Sequence, residues 1–429
     1  MFKTFHINDY KENKKLTCDK EIINFLNPLN IYIPLIDNNI TYKPLVNINE
    51  YVCKGQVIAR SDDGNNFPIH SSVSGIVSDL NYKMWTNNGK LITCISISND
   101  FKEKYYYKKY DVVDKTSFIE LLKENGIVGL GGSGFFTYRK YINSNIDTLI
   151  VNGCECEPFI SCDYRLMIER IYDLIEGIKI IKKYLNIKNV YICIKNNKLE
   201  LIKSFEKFIN KDINLILLKD KYPVGWEKYL VYKCLKKKYK SYPFEVGCVV
   251  NNTSTIISIY DAFVYSKPLI ERVVTFTGTC LENPINVNVK IGTSVNEVLN
   301  FLGGINSNIL YKSLTVGGVF TGKSMSFDNI CITKSTNAII INKLSNNNFN
   351  SFECIGCGKC SDVCPVHLSP ILIKIQYLDK NKNELKELKA MNCINCGLCS
   401  YICPSKVDLS FFTNKSKELL LKERQNEHK

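Results

Sequence analysis

Apolar residues along this chain change their spacing several times, and each change predicts a different architecture. Up to about residue 105, short alternating runs are separated by turn clusters such as Asp62-Asp-Gly64-Asn-Asn and Asn87-Asn-Gly89, the pattern of a β-rich unit. Between about 106 and 270, helical and strand patterns alternate. Phe118, Leu121 and Leu122 recur at helical spacing across Ser117 to Asn125, and Tyr138 to Asn143 can form a short helix. Asp147–Val151, Asn189–Ile194 and Asn214–Leu218 read as buried strands, so a three-layer α/β domain is expected here. Residues 271 to 345 read as short strands around one helix, Val295 to Leu302, and residues 346 to 429 end in a charged helix, Lys415 to Gln425. The chain is thus expected to be multidomain, α/β plus α+β, with units at 1–105, 106–270, 271–345 and 346–429. Its 429 residues exceed what one ordinary core accommodates.

Charge alters this picture little. The formal charge is +14, but lysine is spread along the whole chain, which favours an anionic surface or an acidic partner over a nucleic-acid patch. Phe101-Lys-Glu-Lys-Tyr-Tyr-Tyr-Lys-Lys-Tyr110 interleaves aromatics with cations as single-strand binders do, but without a nucleic-acid fold around it an interdomain strand is expected. Lys236 to Lys240 reads as a solvated face, and His70 and His367 as structural histidines. No apolar run is long enough to cross a bilayer, and no apolar leader core occupies the first thirty residues.

Cysteine changes the picture most. Eight of the 19 cysteines fall in two copies of one pattern. The first is Cys354-Ile-Gly-Cys357-Gly-Lys-Cys360-Ser-Asp-Val-Cys364-Pro365, and the second is Cys393-Ile-Asn-Cys396-Gly-Leu-Cys399-Ser-Tyr-Ile-Cys403-Pro404. This C-x2-C-x2-C-x3-C-P spacing is that of proteins holding two [4Fe–4S] clusters, in which the fourth cysteine ligates the other cluster. The expected sets are Cys354, Cys357, Cys360 with Cys403, and Cys393, Cys396, Cys399 with Cys364. A pair of zinc sites is the rival, since zinc also uses C-x2-C, but two full repeats ending in Cys-Pro weigh against it. The other eleven cysteines read mostly as single buried residues.

Two glycine-rich stretches suggest phosphate. Gly129-Leu-Gly131-Gly132-Ser-Gly134 spells G-x-G-x-x-G, yet a helix rather than a strand precedes it, which rejects the usual dinucleotide fold. The physics survives: backbone N–H groups at a helix start, with Lys140 beyond, suit an anion, although a plain tight turn fits the loop equally well on its own. After the strand at 147–151 comes Asn152-Gly-Cys154-Glu155-Cys156-Glu157-Pro158, continuing to Cys162-Asp163-Tyr-Arg165, at the position where α/β sheets place ligands. Cys154, Cys156 and Cys162 lack an evident fourth ligand for a metal site. Gly317-Gly-Val-Phe-Thr-Gly322-Lys323-Ser324 spells a Walker A motif, but β-like sequence follows where a helix is needed, so an NTPase is not expected.

In this order the segments resemble the C subunit of Rnf-type ion-translocating electron-transport complexes, relatives of the flavin-bearing NADH subunit of complex I. Gly129 to Lys140 looks like that family's G-x-G-G-A-G-F-P-T-x-x-K loop, departing at Ser133 and Phe136. Asn152 to Met167 looks like its N-G-x-E-C-E-P…D-x-R-L-M segment, and Tyr222-Pro-Val-Gly-Trp-Glu-Lys228 like its Y-P-x-G-x-x-K stretch. Asn251-Asn252-Thr253 resembles its N-V-x-T turn, Arg272 to Gly278 the opening of a β-grasp domain, and Lys54 to Val77 an N-terminal barrel-sandwich. The resemblance implies FMN held at Gly129, Gly131, Gly132, Gly134 and Lys140, with Asn152, Glu155, Glu157 and Asn251 or Asn252 lining the flavin or nicotinamide. It also implies an oxidoreductase subunit passing electrons between NAD(H) and ferredoxin through FMN and two [4Fe–4S] clusters. Membrane and peripheral partner subunits would couple this to ion translocation. The chain would sit peripherally on the cytoplasmic face of the membrane, with no nucleic acid involved. A soluble NADH-dependent donor to another reductase, serving amino-acid or cobalamin reduction, and a non-catalytic iron–sulfur adaptor are the alternatives.

Overall fold

The computed structural model describes residues 2–7, 11–142, 146–306, 309, 312–325, 329–344 and 351–427. Near the N-terminus, two four-stranded antiparallel sheets face each other. One runs Asn30–Pro34, Leu91–Asn99, Gly75–Trp85, Tyr51–Val52, and the other runs Ile36–Asp37, Ile40–Pro44, Val57–Ser61, Pro68–His70. Alternation decides which side is buried: Ile31, Ile33, Ile95 and Ile97 point inward and meet Ile58, Phe67 and Val77. This is the expected barrel-sandwich. The 101–110 stretch makes a single bridge, Lys54 to Tyr105, rather than a strand, while the Tyr105 hydroxyl donates to the Ser266 carbonyl at 3.1 Å. It therefore links the barrel to the α/β unit.

That unit is a four-stranded parallel sheet in the order Ile213–Leu218, Asn189–Lys195, Thr148–Asn152, Cys248–Asn252. Its strands are apolar on both faces, as a doubly covered parallel sheet requires. Leu149 and Val151 pack under the helices Lys115–Glu124, Ile171–Leu185 and Thr253–Tyr265, whereas Ile150 meets Leu230 and Val231 of the helix Glu227–Leu235 on the other side. The three layers expected from the alternating pattern are present. Cys248–Asn252 adds a fourth strand where the sequence shows only a turn.

The third unit holds a mixed six-stranded sheet: Ile23–Phe25, Ile285–Lys290, Glu271–Thr277, Ala338–Lys343, Lys312–Val316, Lys323–Met325. The helix Val295–Phe301 packs on it through Val295, Val298 and Leu299. Its first strand comes from the N-terminal region and pairs parallel with Ile285–Lys290. The Walker-like segment is the turn between two antiparallel strands, with Val316 opposite Lys323, and the strand Lys323–Met325 stands where a P-loop needs a helix. Residues 326–328, part of the β-like stretch, lie outside the described residues.

The cysteine repeats fold alike. Each places a left-handed glycine, Gly358 (φ 73°) or Gly397 (φ 73°), just before a short helix, Lys359–Asp362 or Leu398–Tyr401. The helices Pro370–Leu378 and Leu409–Glu427 close the module. The terminal helix begins earlier than its charged part suggests, because Leu409 and Leu420 are both buried.

Candidate electron-transfer site

Cys364, Cys393, Cys396 and Cys399 line one cavity, with Leu398, Ser410 and Thr413 completing its wall. Three come from the second repeat and one from the first. Cys360 packs with Val407 and Leu409 beside Cys399 and Cys403, so the first repeat also turns toward the last cysteine of the second. Among the described residues, no three His, Cys, Asp or Glu side chains converge on a single metal-ion position. Four thiols spread around a cavity suit a cubane cluster better than one tetrahedral zinc. Cys354 and Cys357 are exposed, and the Gly356 amide donates to the Cys354 Sγ at 3.4 Å.

The glycine loop lies against the end of the strand Cys248–Asn252. The loop closes on itself, with the Gly129 amide donating to the Phe135 carbonyl at 2.8 Å and Gly134 to the Gly129 carbonyl at 3.1 Å. Gly131 sits against the Asn252 side chain, and the Leu130 amide donates to the Thr255 Oγ1 at 2.9 Å. The Gly132 Cα faces open space. From the helix Thr137–Tyr141 that follows, the partly buried Lys140 donates to the Val250 carbonyl at 2.7 Å. Burial lowers its pKa, and no carboxylate stands within ion-pair distance among the described residues. Buried nearby, in that helix, that strand and the start of the helix Thr253–Tyr265, are Thr137 Oγ1, Asn251 Oδ1 and Thr253 Oγ1, none with a hydrogen-bond partner among the described residues. Lys140, the unpartnered Thr137 and Thr253 hydroxyls and the glycine loop offer donors that can hold a phosphate-bearing flavin, and the Asn251 Oδ1 offers an acceptor beside them.

The acidic loop after strand Thr148–Asn152 divides its carboxylates between two tasks. Glu155 accepts from the Asp163 amide at 2.9 Å at the start of the helix Cys162–Glu169, where the helix dipole favours an anion. Lys14 reaches in from the segment Lys11–Leu16, 3.6 Å from the Glu155 carboxylate, and donates to the Glu155 carbonyl at 2.9 Å. Burial lowers its pKa against the pull of Glu155. Glu157 instead turns toward the Gly317–Gly322 turn. It accepts from the Thr321 Oγ1 at 2.8 Å and the Phe320 amide at 3.3 Å, and burial pushes its carboxyl up. Asn152 donates to the Gly225 carbonyl at 2.9 Å, which fixes the Tyr222–Lys228 stretch alongside. Asn251 donates to the Tyr141 hydroxyl, and Asn252 to Asp163 at 2.6 Å.

The structure therefore gathers the glycine loop, Lys140, Asn251 and Asn252 on one side of the sheet's C-terminal edge, with Asn152, Glu155 and Glu157 on the neighbouring loop. Sequence reading places Asp163 in the acidic segment without giving it a partner, and it misses Lys14, which in the sequence is only part of a basic N-terminus. It also takes the scattered cysteines as single. Cys154, Cys156, Cys193, Cys234 and Cys248 instead gather under the sheet, with the Cys193 and Cys234 sulfurs 3.5 Å apart. Strand alternation aims Cys193 and Cys248 at the same apolar layer, a signal the sequence does carry.

Fold and site together define a flavin-domain and iron–sulfur electron carrier. Residues 122–261 match the Nuo51 FMN-binding domain, residues 8–102 the RnfC barrel sandwich hybrid domain, and residues 353–407 the 4Fe-4S dicluster domain. The chain is 32% identical over 377 residues to the C subunit of the proton-translocating ferredoxin:NAD(+) oxidoreductase complex of Clostridium ljungdahlii, covering 85% of this chain and 82% of that one. It is 34% identical to the C subunit of the ion-translocating oxidoreductase complex of Buchnera aphidicola, covering 84% and 78%. The Vibrio cholerae C subunit is 31% identical over 84% of this chain, which spans only 48% of that longer protein. A solved NAD+-reducing [NiFe]-hydrogenase chain superposes with a TM-score of 0.46 at 15% identity, over 71% of this chain and 60% of that one. This chain belongs to the family of C subunits of ion-translocating oxidoreductase complexes, and it carries that family's FMN-binding and 4Fe-4S dicluster domains.

Proposed function

We propose that this protein is the member of an Rnf-type complex that exchanges electrons between NAD(H) and a ferredoxin-type carrier. Partner subunits, membrane and peripheral, would couple the exchange to ion translocation. The observation that carries this reading is the bridge that Tyr222 makes between the acidic loop and the cluster module: its hydroxyl stands 3.4 Å from Glu157 and donates to the Cys396 carbonyl at 2.9 Å. A two-electron centre and one-electron centres placed side by side are what NADH oxidation by iron–sulfur clusters needs, and the flavin supplies that conversion.

In this reading Lys140 and the amides of Gly131 and Gly132 hold the FMN phosphate, on a loop that Gly129 and Gly134 close through their own amides. Asn152, Asn251 and Asn252 orient the ring with hydrogen-bonding groups, and Glu155 and Glu157 fix the loop beside it. Cys354, Cys357, Cys360 and Cys403 hold one cluster, and Cys364, Cys393, Cys396 and Cys399 the other. The single helix across the mixed sheet of residues 271–345 supports a β-grasp reading of that unit. In the same reading the chain attaches peripherally to the cytoplasmic face through partner subunits; no described helix is long and apolar enough to cross a membrane.

Purified anaerobically, the protein is expected to be yellow-brown, to contain FMN and iron, and to lose its cluster absorbance on adding NADH. Iron colour that NADH leaves unchanged would refute the reading. Recovery with integral membrane proteins separates a member of the complex from a soluble donor.

A further inference from the structure

The Walker-like turn and Tyr222 have a structural task that phosphate binding does not explain. Tyr222 is buried, with its ring 4.9 Å from that of Phe320 and packed with Val363 and Leu398 of the cluster module. Its backbone exchanges two hydrogen bonds with Phe5, at 2.8 and 2.7 Å. Two residues earlier the Lys3 amide donates to the Pro365 carbonyl at 3.3 Å, so the N-terminal segment straps the α/β unit to the module. From the turn, the Phe320 ring meets Tyr401 edge-on at 5.1 Å. The Phe320 carbonyl lies so close to Gly397 that a Cβ there would come within 2.5 Å of it. Each of these contacts to the module reaches Val363 to Pro365 or Cys396 to Tyr401. The exposed Cys354 and Cys357, with Ile355 70% exposed between them, are not among them.

We propose that Tyr222 and the Gly317–Gly322 turn are positioning elements that seat the cavity of Cys364, Cys393, Cys396 and Cys399 against the flavin-side loop. That cluster is then the inner one, and the Cys354, Cys357, Cys360 and Cys403 cluster is the outlet. This rests on the flavin reading above. With both clusters bound, the two cysteine sets would carry the two electrons of NADH singly to a one-electron carrier of ferredoxin type, leaving NAD+ and one proton to water. Phe5 would hold the Tyr222 backbone even without its hydroxyl, so Tyr222→Phe removes the bond to the Cys396 carbonyl and the 3.4 Å contact with Glu157 and leaves the ring packing.

The test uses anaerobically purified holoprotein of Tyr222→Phe beside the unaltered chain. Amide hydrogen exchange across residues 396–402 is expected to quicken roughly two- to tenfold, the worth of one net hydrogen bond. In stopped flow, the flavin band should fall with NADH as before while cluster bleaching slows by a similar factor, and dithionite should still reduce both clusters. Unchanged exchange or unchanged bleaching overturns the role of Tyr222. In Cys357→Ser, which removes the outlet cluster, the remaining cluster should still bleach with NADH; failure to do so overturns the order. If the protein holds no flavin, the earlier reading fails, and the exchange measurement still decides the docking.

Discussion

Asn252 binds Asp163 in a way that also begins a helix. Its Nδ2 donates to the Asp163 carboxylate at 2.6 Å, while its Oδ1 accepts from the Ser254 amide at 2.9 Å as the N-cap of Thr253–Tyr265. Asn252→Ala should lower stability by about 1–3 kcal/mol, since it loses a cap and leaves a buried acid short of a donor. Asn252→Ser keeps the cap and should lose less. Urea unfolding of the two variants checks the order, and equal losses would contradict it.

Asp163 itself predicts a pH dependence. Burial, helped by Glu155, raises its pKa to about 6, against the hydrogen bonds from Ser254 and Asn252. The folded state then holds this proton more tightly than the unfolded chain. Its contribution is fully present below about pH 4 and is lost as pH rises through about 6, at a cost on the order of 3 kcal/mol. Asp163→Asn should flatten that part of the stability curve. A wild-type minus variant difference that does not change between about pH 4 and 7 would be the contrary result.

Gly318 stands where a side chain cannot. A methyl group there would overlap the Glu157 carboxyl, which is held by Thr321 and the Phe320 amide. Gly318→Ala is expected to cost about 1–3 kcal/mol by overpacking, with the loss falling on the contact between turn and loop. Protease cleavage near residues 317–322 should appear sooner in the variant, and an unaltered digestion pattern would argue otherwise.

The crossed cysteine sets give the sharpest chemical outcome. Cys403→Ser should damage the cluster of Cys354, Cys357 and Cys360 and spare the one in the cavity of Cys364, Cys393, Cys396 and Cys399. Iron should fall by about half. Electron paramagnetic resonance of the reduced variant should keep the signal of the cluster in that cavity, and loss of that cluster alone would show the pairing to be wrong.

Period and punctuation carry much of the architecture. Three of the four parallel strands and the helix Lys115–Glu124 follow from apolar spacing alone, because both faces of the sheet are covered. The fourth strand, Cys248–Asn252, is hidden because its end, Asn251-Asn252-Thr253, reads as a turn while also serving as strand end and helix cap. The helix Leu409–Glu427 is underestimated for a similar reason: its first turns are apolar where they pack on the module, and only the later ones are charged. The strand Ile23–Phe25 gives no local sign that it will join residues 285–290, more than 250 positions away.

By itself the sequence determined the chemistry that depends on spacing within a few residues: the two cysteine repeats, the glycine loop and the acidic loop at a strand's end. Covalent geometry makes such spacing nearly equivalent to proximity. Only the tertiary structure decided which way each group turns and which cysteine set faces the acidic loop. Glu155 went to Lys14 and a helix start, and Glu157 to the turn and Tyr222. Contacts such as Tyr222 to Cys396, 174 residues apart, arise from the docking of whole layers, and nothing in the local pattern encodes them.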